Sequence, residues 1–384
     1  MKKLFMLLLV AFAALCCVSC SDDDDDKNKD FPTEDPTDPN IVRTITLTIK
    51  MSYPGNTIEF GFSAYFQDST IGRIPFPKDL SIDWGDGSIT HSNSHKYEVA
   101  GIYNIIISAK DLRYFSYEDD HDLITNIDFK KCNSLVGLHL EDQALYEIDV
   151  AGFTELKYMY ISGDNYLDRR FLRTLNVDGC TTLTKLYCHE NNLTSLDVSK
   201  CTALTELDCS FNELTSLDVS GCTALTELDC HENNLTSLDV SKCTALTELD
   251  CHENNLTSLD VSKCTALTEL DCSSNNLTSL DVSKNTALTR LKCWGNNLTS
   301  LDVSKCTALT ELDCSSNNLT SLDVSKCTAL TELDCSSNNL TSAALNQIFR
   351  DLPQVTSGTI YMSGNPGTET CDKNIAENKG WYLQ

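Results

Sequence analysis

Between residues 183 and 341 the sequence repeats with a period of 21, and the line LTELDCSSNNLTSLDVSKCTA recurs almost letter for letter. A fixed period of this length dictates a stack of identical coils before any single residue is interpreted. In the copy that opens at Leu204, apolar residues fall at Leu204, Leu207, Cys209, Leu214, Leu217, Val219 and Cys222. Each half of the coil alternates apolar and polar residues with period two, which is a strand pattern. Neither half is long enough for an ordinary helix, and Thr, Ser, Asp and Asn crowd the gaps. The pattern therefore predicts a mainly β solenoid. Each coil has a firm strand at ELDCS and a shorter extended segment at SLDVS, and strands of successive coils stack about 4.8 Å apart into parallel sheets.

The spacing LxxLxCxxN resembles the leucine-rich repeat family, in its short nested bacterial form, with Cys in place of the third Leu. Weaker copies extend the likeness. Residues 124–134 read as a half coil, and residues 135–155 as a full coil with Gln143 at the Asn position. A third copy opens at Leu156, carries Asp164 there and runs six residues long. The resemblance covers roughly residues 124–365. It implies that Asn191, Asn212, Asn233, Asn254, Asn275, Asn296, Asn317 and Asn338 form a ladder whose amides bond the turn backbone. Two cysteine rows run beside it, one from Cys188 to Cys335 and one from Cys180 to Cys327, the second interrupted by Asn285. We read them as small buried hydrophobes. In-register Cβ atoms nearly 5 Å apart exceed the roughly 3.8 Å of a relaxed disulfide, and the region has no C-x-x-C spacing for zinc.

Outside the repeats the chain falls into four pieces. Residues 1–20, MKKLFMLLLVAFAALCCVSC, read as a secretory signal and resemble a bacterial lipoprotein signal with Cys20 as the lipidated residue. Residues 21–40 are an acidic, proline-rich tether that cannot bury a core. Asp22 to Asp26 resemble the acidic signals of surface lipoproteins of Bacteroidetes-type bacteria. Residues 41–120 carry β-branched and aromatic runs, and Trp84-Gly85-Asp86-Gly87 with Tyr97 and Gly101-Ile102-Tyr103 resembles the PKD-type domain, a small immunoglobulin-like sandwich and a spacer or adhesion module by that resemblance. Asp83 and Asp86 are read there as turn residues rather than metal ligands. The repeats then occupy 121–341, and 342–384 form a cap: Leu345, Ile348, Phe349 and Leu352 have helical spacing, Ser342 is the expected N-cap, and Trp381 plugs the end.

A formal net charge of −27 argues against nucleic acid, whose binders need a basic face, and against direct docking on anionic lipid. No nucleophile elbow, phosphate loop or Cys-His pairing supports catalysis, so the chain reads as a non-enzyme. His189-Glu190, His231-Glu232 and His252-Glu253 lack the second His of a zincin and read as copies of one another, so no metal site is expected. No cofactor is called for, calcium being the one candidate. The informative surface is the outer face of the main strands. Outward positions give Glu206 and Asp208, Glu227 and Asp229, Glu248 and Asp250, Glu269 and Asp271, Glu311 and Asp313, then Glu332 and Asp334. Like charges about 5 Å apart repel by roughly 0.8 kcal/mol per pair even in water, so these rows attract cations or basic partners. One coil breaks them with Arg290, Lys292 and Trp294, and Tyr158, Tyr160 and Tyr187 mark the other end. Arg, Trp and Tyr are residues that anchor interfaces. The expected function is a recognition or adhesion lipoprotein of the bacterial outer membrane, facing outward, that binds a basic or host-derived protein on its concave face. The alternatives are a carbohydrate-binding accessory protein stacking sugars on the aromatics, and a structural repeat protein.

Overall fold

The computed structural model describes residues 41–65, 73–118, 123–163 and 171–384. Cys20, the tether and Asp164 lie outside them. The period of 21 becomes one coil per repeat. Three-residue strands, among them Glu206–Asp208, Glu227–Asp229, Glu248–Asp250 and Glu269–Asp271, pair in parallel with every residue opposite its own copy. They belong to a 13-stranded parallel sheet running from Tyr114–Glu118 to Trp381–Leu383. The second segment of each coil is weaker than its alternation suggests. It forms a strand pair only at Glu147–Asp149 and Thr174–Asn176 among the described residues, and single bridges such as Asp197 to Asp218 elsewhere. There the outward Asp218 side chain bonds the Ser220 amide at 2.9 Å, turning the chain away before a strand can lengthen.

Three ladders hold the coils. Leu, Val and Cys of every copy are buried in one continuous core that also includes Ile45, Trp84 and Trp381. The Asn ladder behaves as the resemblance implies. Asn233 Nδ2 donates to the carbonyls of Cys209, Cys230 and His231 at 3.0, 3.2 and 3.2 Å, and its Oδ1 accepts the Leu214 amide at 2.9 Å. One amide thus satisfies groups on two coils. The residue before each Asn is left-handed, as at Phe211, Glu232 and Ser274 with φ of 51, 46 and 48°. The third ladder is threonine: Thr226 and Thr247 Oγ1 donate to the carbonyls of Thr205 and Thr226 at 3.0 and 2.9 Å. The cysteines from Cys132 to Cys335 are free and buried. Burial pushes Cys222 up to about 12 and Cys243 up to about 11, so these thiols are protonated at neutral pH.

The border with the N-terminal part is shared between sheets. Leu123–Lys131, which takes up most of the stretch 124–134 read as a half coil, pairs antiparallel with Arg43–Met51 in a five-stranded sheet. Tyr114–Glu118, from the stretch ahead of the repeats, instead opens the solenoid sheet by pairing with Gly137–Glu141. Asp83 and Asp86 do accept turn amides, from Gly85 at 3.0 Å and Ser88 at 2.9 Å. At the far end the helix Ser342–Asp351 is capped by Thr341, one residue earlier than expected, whose Oγ1 accepts the Ala344 amide at 3.3 Å. Trp381 is buried, bonds the Pro353 carbonyl at 2.9 Å, and lies so close over Gly358 that a Cβ there would meet the ring at 2.8 Å.

Candidate functional site

The outer face of the long sheet carries three columns, because each strand and the residue two beyond it expose alternate positions. The first column runs Tyr158, Lys185, Glu206, Glu227, Glu248, Glu269, Arg290, Glu311 and Glu332, residue opposite residue. The second runs His139, Tyr160, Tyr187, Asp208, Asp229, Asp250, Asp271, Lys292, Asp313 and Asp334. Two residues further along each coil, a third column includes His189, Ser210, His231, His252, Ser273, Trp294 and Ser315. Every residue singled out from the sequence for this face therefore lies on it.

The two acid columns are not equivalent. Each Asp accepts a backbone amide two residues on: Asp208 from Ser210 at 3.0 Å, Asp229 from His231 at 3.2 Å, Asp250 from His252 at 3.1 Å, Asp271 from Ser273 at 3.0 Å, Asp313 from Ser315 at 3.0 Å and Asp334 from Ser336 at 2.9 Å. This Asx turn steers the chain into the left-handed corner, so the Asp column has a structural duty. The Glu column has no comparable backbone bond among the described residues. Burial and then its neighbours Glu248 and Glu206 raise Glu227 above the usual carboxylate range, and burial and then Glu269 do the same to Glu248.

The break in the acid columns is a staple. Arg290 reaches both ways, Nη1 to Glu269 at 2.7 Å and Nε to Glu311 at 3.0 Å, and Lys292 Nζ lies 3.7 Å from Asp271. These cations neutralise their own sheet rather than stand free. A depression of about 140 Å³ lies beside them, lined by Glu248, Asp250, Glu269, Asp271, Arg290 and Lys292. Trp294 is half-buried on the same coil.

The aromatic end is a packed cluster. Tyr187 lies 6.1 Å from Tyr158 and 5.8 Å from Tyr160 between ring centres, and its hydroxyl donates to Glu206. Lys185 Nζ pairs with the same Glu206 at 2.8 Å. His139 packs on Tyr160 at 4.5 Å. His189 Nδ1 lies 3.2 Å from Asp208, close enough for ion pairing though off the line of a hydrogen bond. His139 and Lys185 were missed from the sequence, although the alternation that found Tyr160 and Tyr187 also places them outward. The histidines that looked like copies are brought together as well. His231 and His252 stack with ring centres 4.3 Å apart and planes 10° off parallel.

With this geometry in view, the family model for leucine-rich repeats, as tandem copies, matches residues 181–221, 223–264, 244–285, 286–326 and 307–352. No curated protein matches the chain. Among solved structures, the chain is 28% identical to the functional domain of InlJ from Listeria monocytogenes, described as including a cysteine ladder; the match covers 70% of this chain and 77% of that one, with a TM-score of 0.40. An internalin, InlF, from the same species is 20% identical over 70% of this chain and 85% of that one, with a TM-score of 0.51. YopM from Yersinia enterocolitica is 22% identical over 66% and 56%, with a TM-score of 0.47. Coil by coil, in register, in its Asn ladder and in the family match, residues 181–352 are a run of leucine-rich repeats, and the chain folds as a leucine-rich repeat solenoid.

Proposed function

We propose that the sheet face is a recognition surface for a basic protein segment, with the Glu column as its principal contact. Leucine-rich repeat solenoids generally serve as protein-interaction modules, using the extended surface that stacking creates. The observation that carries the reading is the difference between the acid columns. The Asp column is occupied in turning the backbone, whereas Glu206, Glu227, Glu248, Glu269, Glu311 and Glu332 repeat without that duty, and at Glu227 and Glu248 burial and then neighbouring carboxylates raise the pKa. A basic partner relieves that repulsion, its lysines or arginines meeting a column whose carboxylates recur at the inter-strand spacing of about 4.8 Å. Arg290 breaks the column and divides the face into two acidic fields. In the same reading the chain is a bacterial lipoprotein of the Bacteroidetes type, lipidated at Cys20, displayed outside the outer membrane, with the PKD-like N-terminal part as spacer, and acting as an adhesin or receptor without enzymatic activity.

A glycan is the second reading, favoured by the aromatic cluster of Tyr158, Tyr160 and Tyr187 with Trp294 on a later coil. The three tyrosines are half-buried, pack against one another, and Tyr187 is already bonded to Glu206. The test is binding of the chain to panels of basic proteins and of glycans, at low and high salt. Protein binding that fades with salt, and fades again in a Glu227→Gln, Glu248→Gln variant, supports the proposal. Salt-insensitive glycan binding replaces it with the second reading. A blank in both panels removes both readings and leaves a structural repeat protein.

A further inference from the structure

We infer that His231 and His252 form a binding site for one divalent transition-metal ion, of which zinc is the natural candidate, on the third column of the sheet face. The two imidazoles sit on adjacent coils, stacked at 4.3 Å and 10°. Each is oriented in the same way: His231 Nδ1 meets Asp229 Oδ1 at 2.5 Å, and His252 Nδ1 meets Asp250 Oδ1 at 2.6 Å. A carboxylate on Nδ1 fixes the tautomer with the proton there, leaves the Nε2 lone pair for a ligand, and makes that nitrogen more basic, which is the outer-shell arrangement of metal-bound histidines. Neither Nε2 has a protein partner among the described residues. Phe211 packs edge-on against the other side of His231 at 4.7 Å, so the ring is held from both sides.

One donor atom each from His231, Asp250 and His252 lie within 4.8 Å of one another. Bonds of about 2.05 Å from two imidazoles to a tetrahedral ion place the nitrogens about 3.3 Å apart, so binding turns the two rings out of their parallel stack until the Nε2 lone pairs converge. Asp250 holds His252 from the Nδ1 side, so the protein donors to the ion are two imidazole nitrogens with water completing the shell, a set that suits zinc and its transition-metal neighbours over the oxygen-seeking calcium or magnesium. An in-register parallel stack is what makes the site: period-21 placement puts identical ligands about 4.8 Å apart with the same orientation. Two other places on the face lack such a pair. His189 also neighbours an Asp, but Ser210 fills the coil between it and His231, so it has no second imidazole. The cluster of Glu118, His139 and Glu141 has one histidine with both ring nitrogens engaged, at 3.2 Å by Glu118 and 2.8 Å by Glu141. The stacked pair alone among these offers two free nitrogens.

The experiment is a cobalt(II) titration of the full chain followed by visible and near-ultraviolet absorption, with zinc competition as a second readout and far-ultraviolet circular dichroism to confirm folding. The expected result is one cobalt per chain with nitrogen and oxygen ligation and displacement by zinc. Affinity should fall at least about tenfold in His231→Ala and in His252→Ala, fall about tenfold in Asp250→Asn, and stay unchanged in His189→Ala. A thiolate-to-metal charge-transfer band would assign the ion to a cysteine and overturn the site. So would the absence of cobalt binding to the parent chain, or equal affinity in a folded His231→Ala, His252→Ala double variant.

Discussion

The coils that open at Leu204, Leu225 and Leu246 and the stretch from Asn285 to Gly295 share one backbone and differ on both faces. Inside, the regular coils place Cys222 and Cys243 where the odd stretch has Asn285. Outside, they place Glu and Asp where it has Arg290 and Lys292, and a left-handed Glu or Phe where it has Gly295 with φ of 65°. Strand register passes through the odd stretch unbroken. Leu, Val, Thr and the Asn ladder therefore specify the coil, while the outward positions can change, as at Arg290 and Lys292, with the strand register kept. Variation there reports on what the surface does, and the Asn ladder is where the largest stability effect resides.

That division is tested most strongly at Asn233. Asn233→Ala removes three donated bonds and one accepted bond at a buried corner and leaves carbonyls on two coils unsatisfied. A loss of about 3 to 5 kcal/mol in urea unfolding is expected from several buried groups left unpaired at about 1 to 3 kcal/mol each, partly relieved by relaxation. Glu227→Ala, on the outer face, should stay within about 0.5 kcal/mol. Comparable losses in the two variants would abolish the distinction between specifying and variable positions. Because repeat arrays unfold by neighbouring units, hydrogen exchange of the Leu214 and Cys230 amides should localise the damage.

The interior difference gives a smaller effect of opposite sign. Asn285 Nδ2 donates to the carbonyls of Val261 at 3.0 Å and Cys264 at 2.8 Å, but its Oδ1 is fully buried and has no partner. In the regular coils Cys222 Sγ meets the Val198 carbonyl at 3.4 Å and buries no orphan oxygen. Asn285→Cys exchanges two good bonds for one weak bond and removes the buried carbonyl. The balance is a gain of about 1 kcal/mol, or roughly 2 to 4 °C in Tm. A variant less stable than the parent would show that the two donated bonds outweigh the orphan oxygen.

The coil, its strand, the buried rows and the Asn ladder were legible because a strict period repeats each signal many times. The outward rows were legible for the same reason, since alternation assigns faces. Two features were not. Alternation marks Asp208 and Asp229 as outward but does not reveal that an outward Asp also accepts the amide two residues on, so a structural row and a free row look alike in sequence. Alternation also marks Leu123–Lys131 as a strand without saying which sheet it joins. Its antiparallel pairing with Arg43–Met51 depends on a chain segment some eighty residues away. At the site, spacing alone places His231 and His252 on adjacent coils, but the Nδ1 contacts that aim them come from side-chain geometry.

The finest contrast lies within the acid columns and is read by pH. Glu227 and Glu248 are raised by burial first and then by neighbouring carboxylates. Asp208 is pulled up by burial but further down by the nearby His189 and by bonds from Ser210, and ends below the usual range. A carboxyl raised in the folded state opposes folding when ionised, so that penalty is present at neutral pH and disappears as pH falls through the raised value. A carboxyl lowered in the folded state stabilises above the ordinary aspartate range, near 3.9, and loses that contribution only as pH falls below it. Between pH 7 and about 5 the glutamates therefore act alone among these three, and acidification should raise Tm. Glu227→Gln with Glu248→Gln should raise Tm at pH 7 and flatten its rise toward pH 5, while Asp208→Asn should lower Tm across that window. The effect is small because these side chains are partly solvated and screened, so it is best read as a difference between variants in the same buffer series. An unchanged pH slope in the double glutamine variant would mean that the Glu column carries no stored repulsion, and would take with it the physical basis for a basic partner on this face.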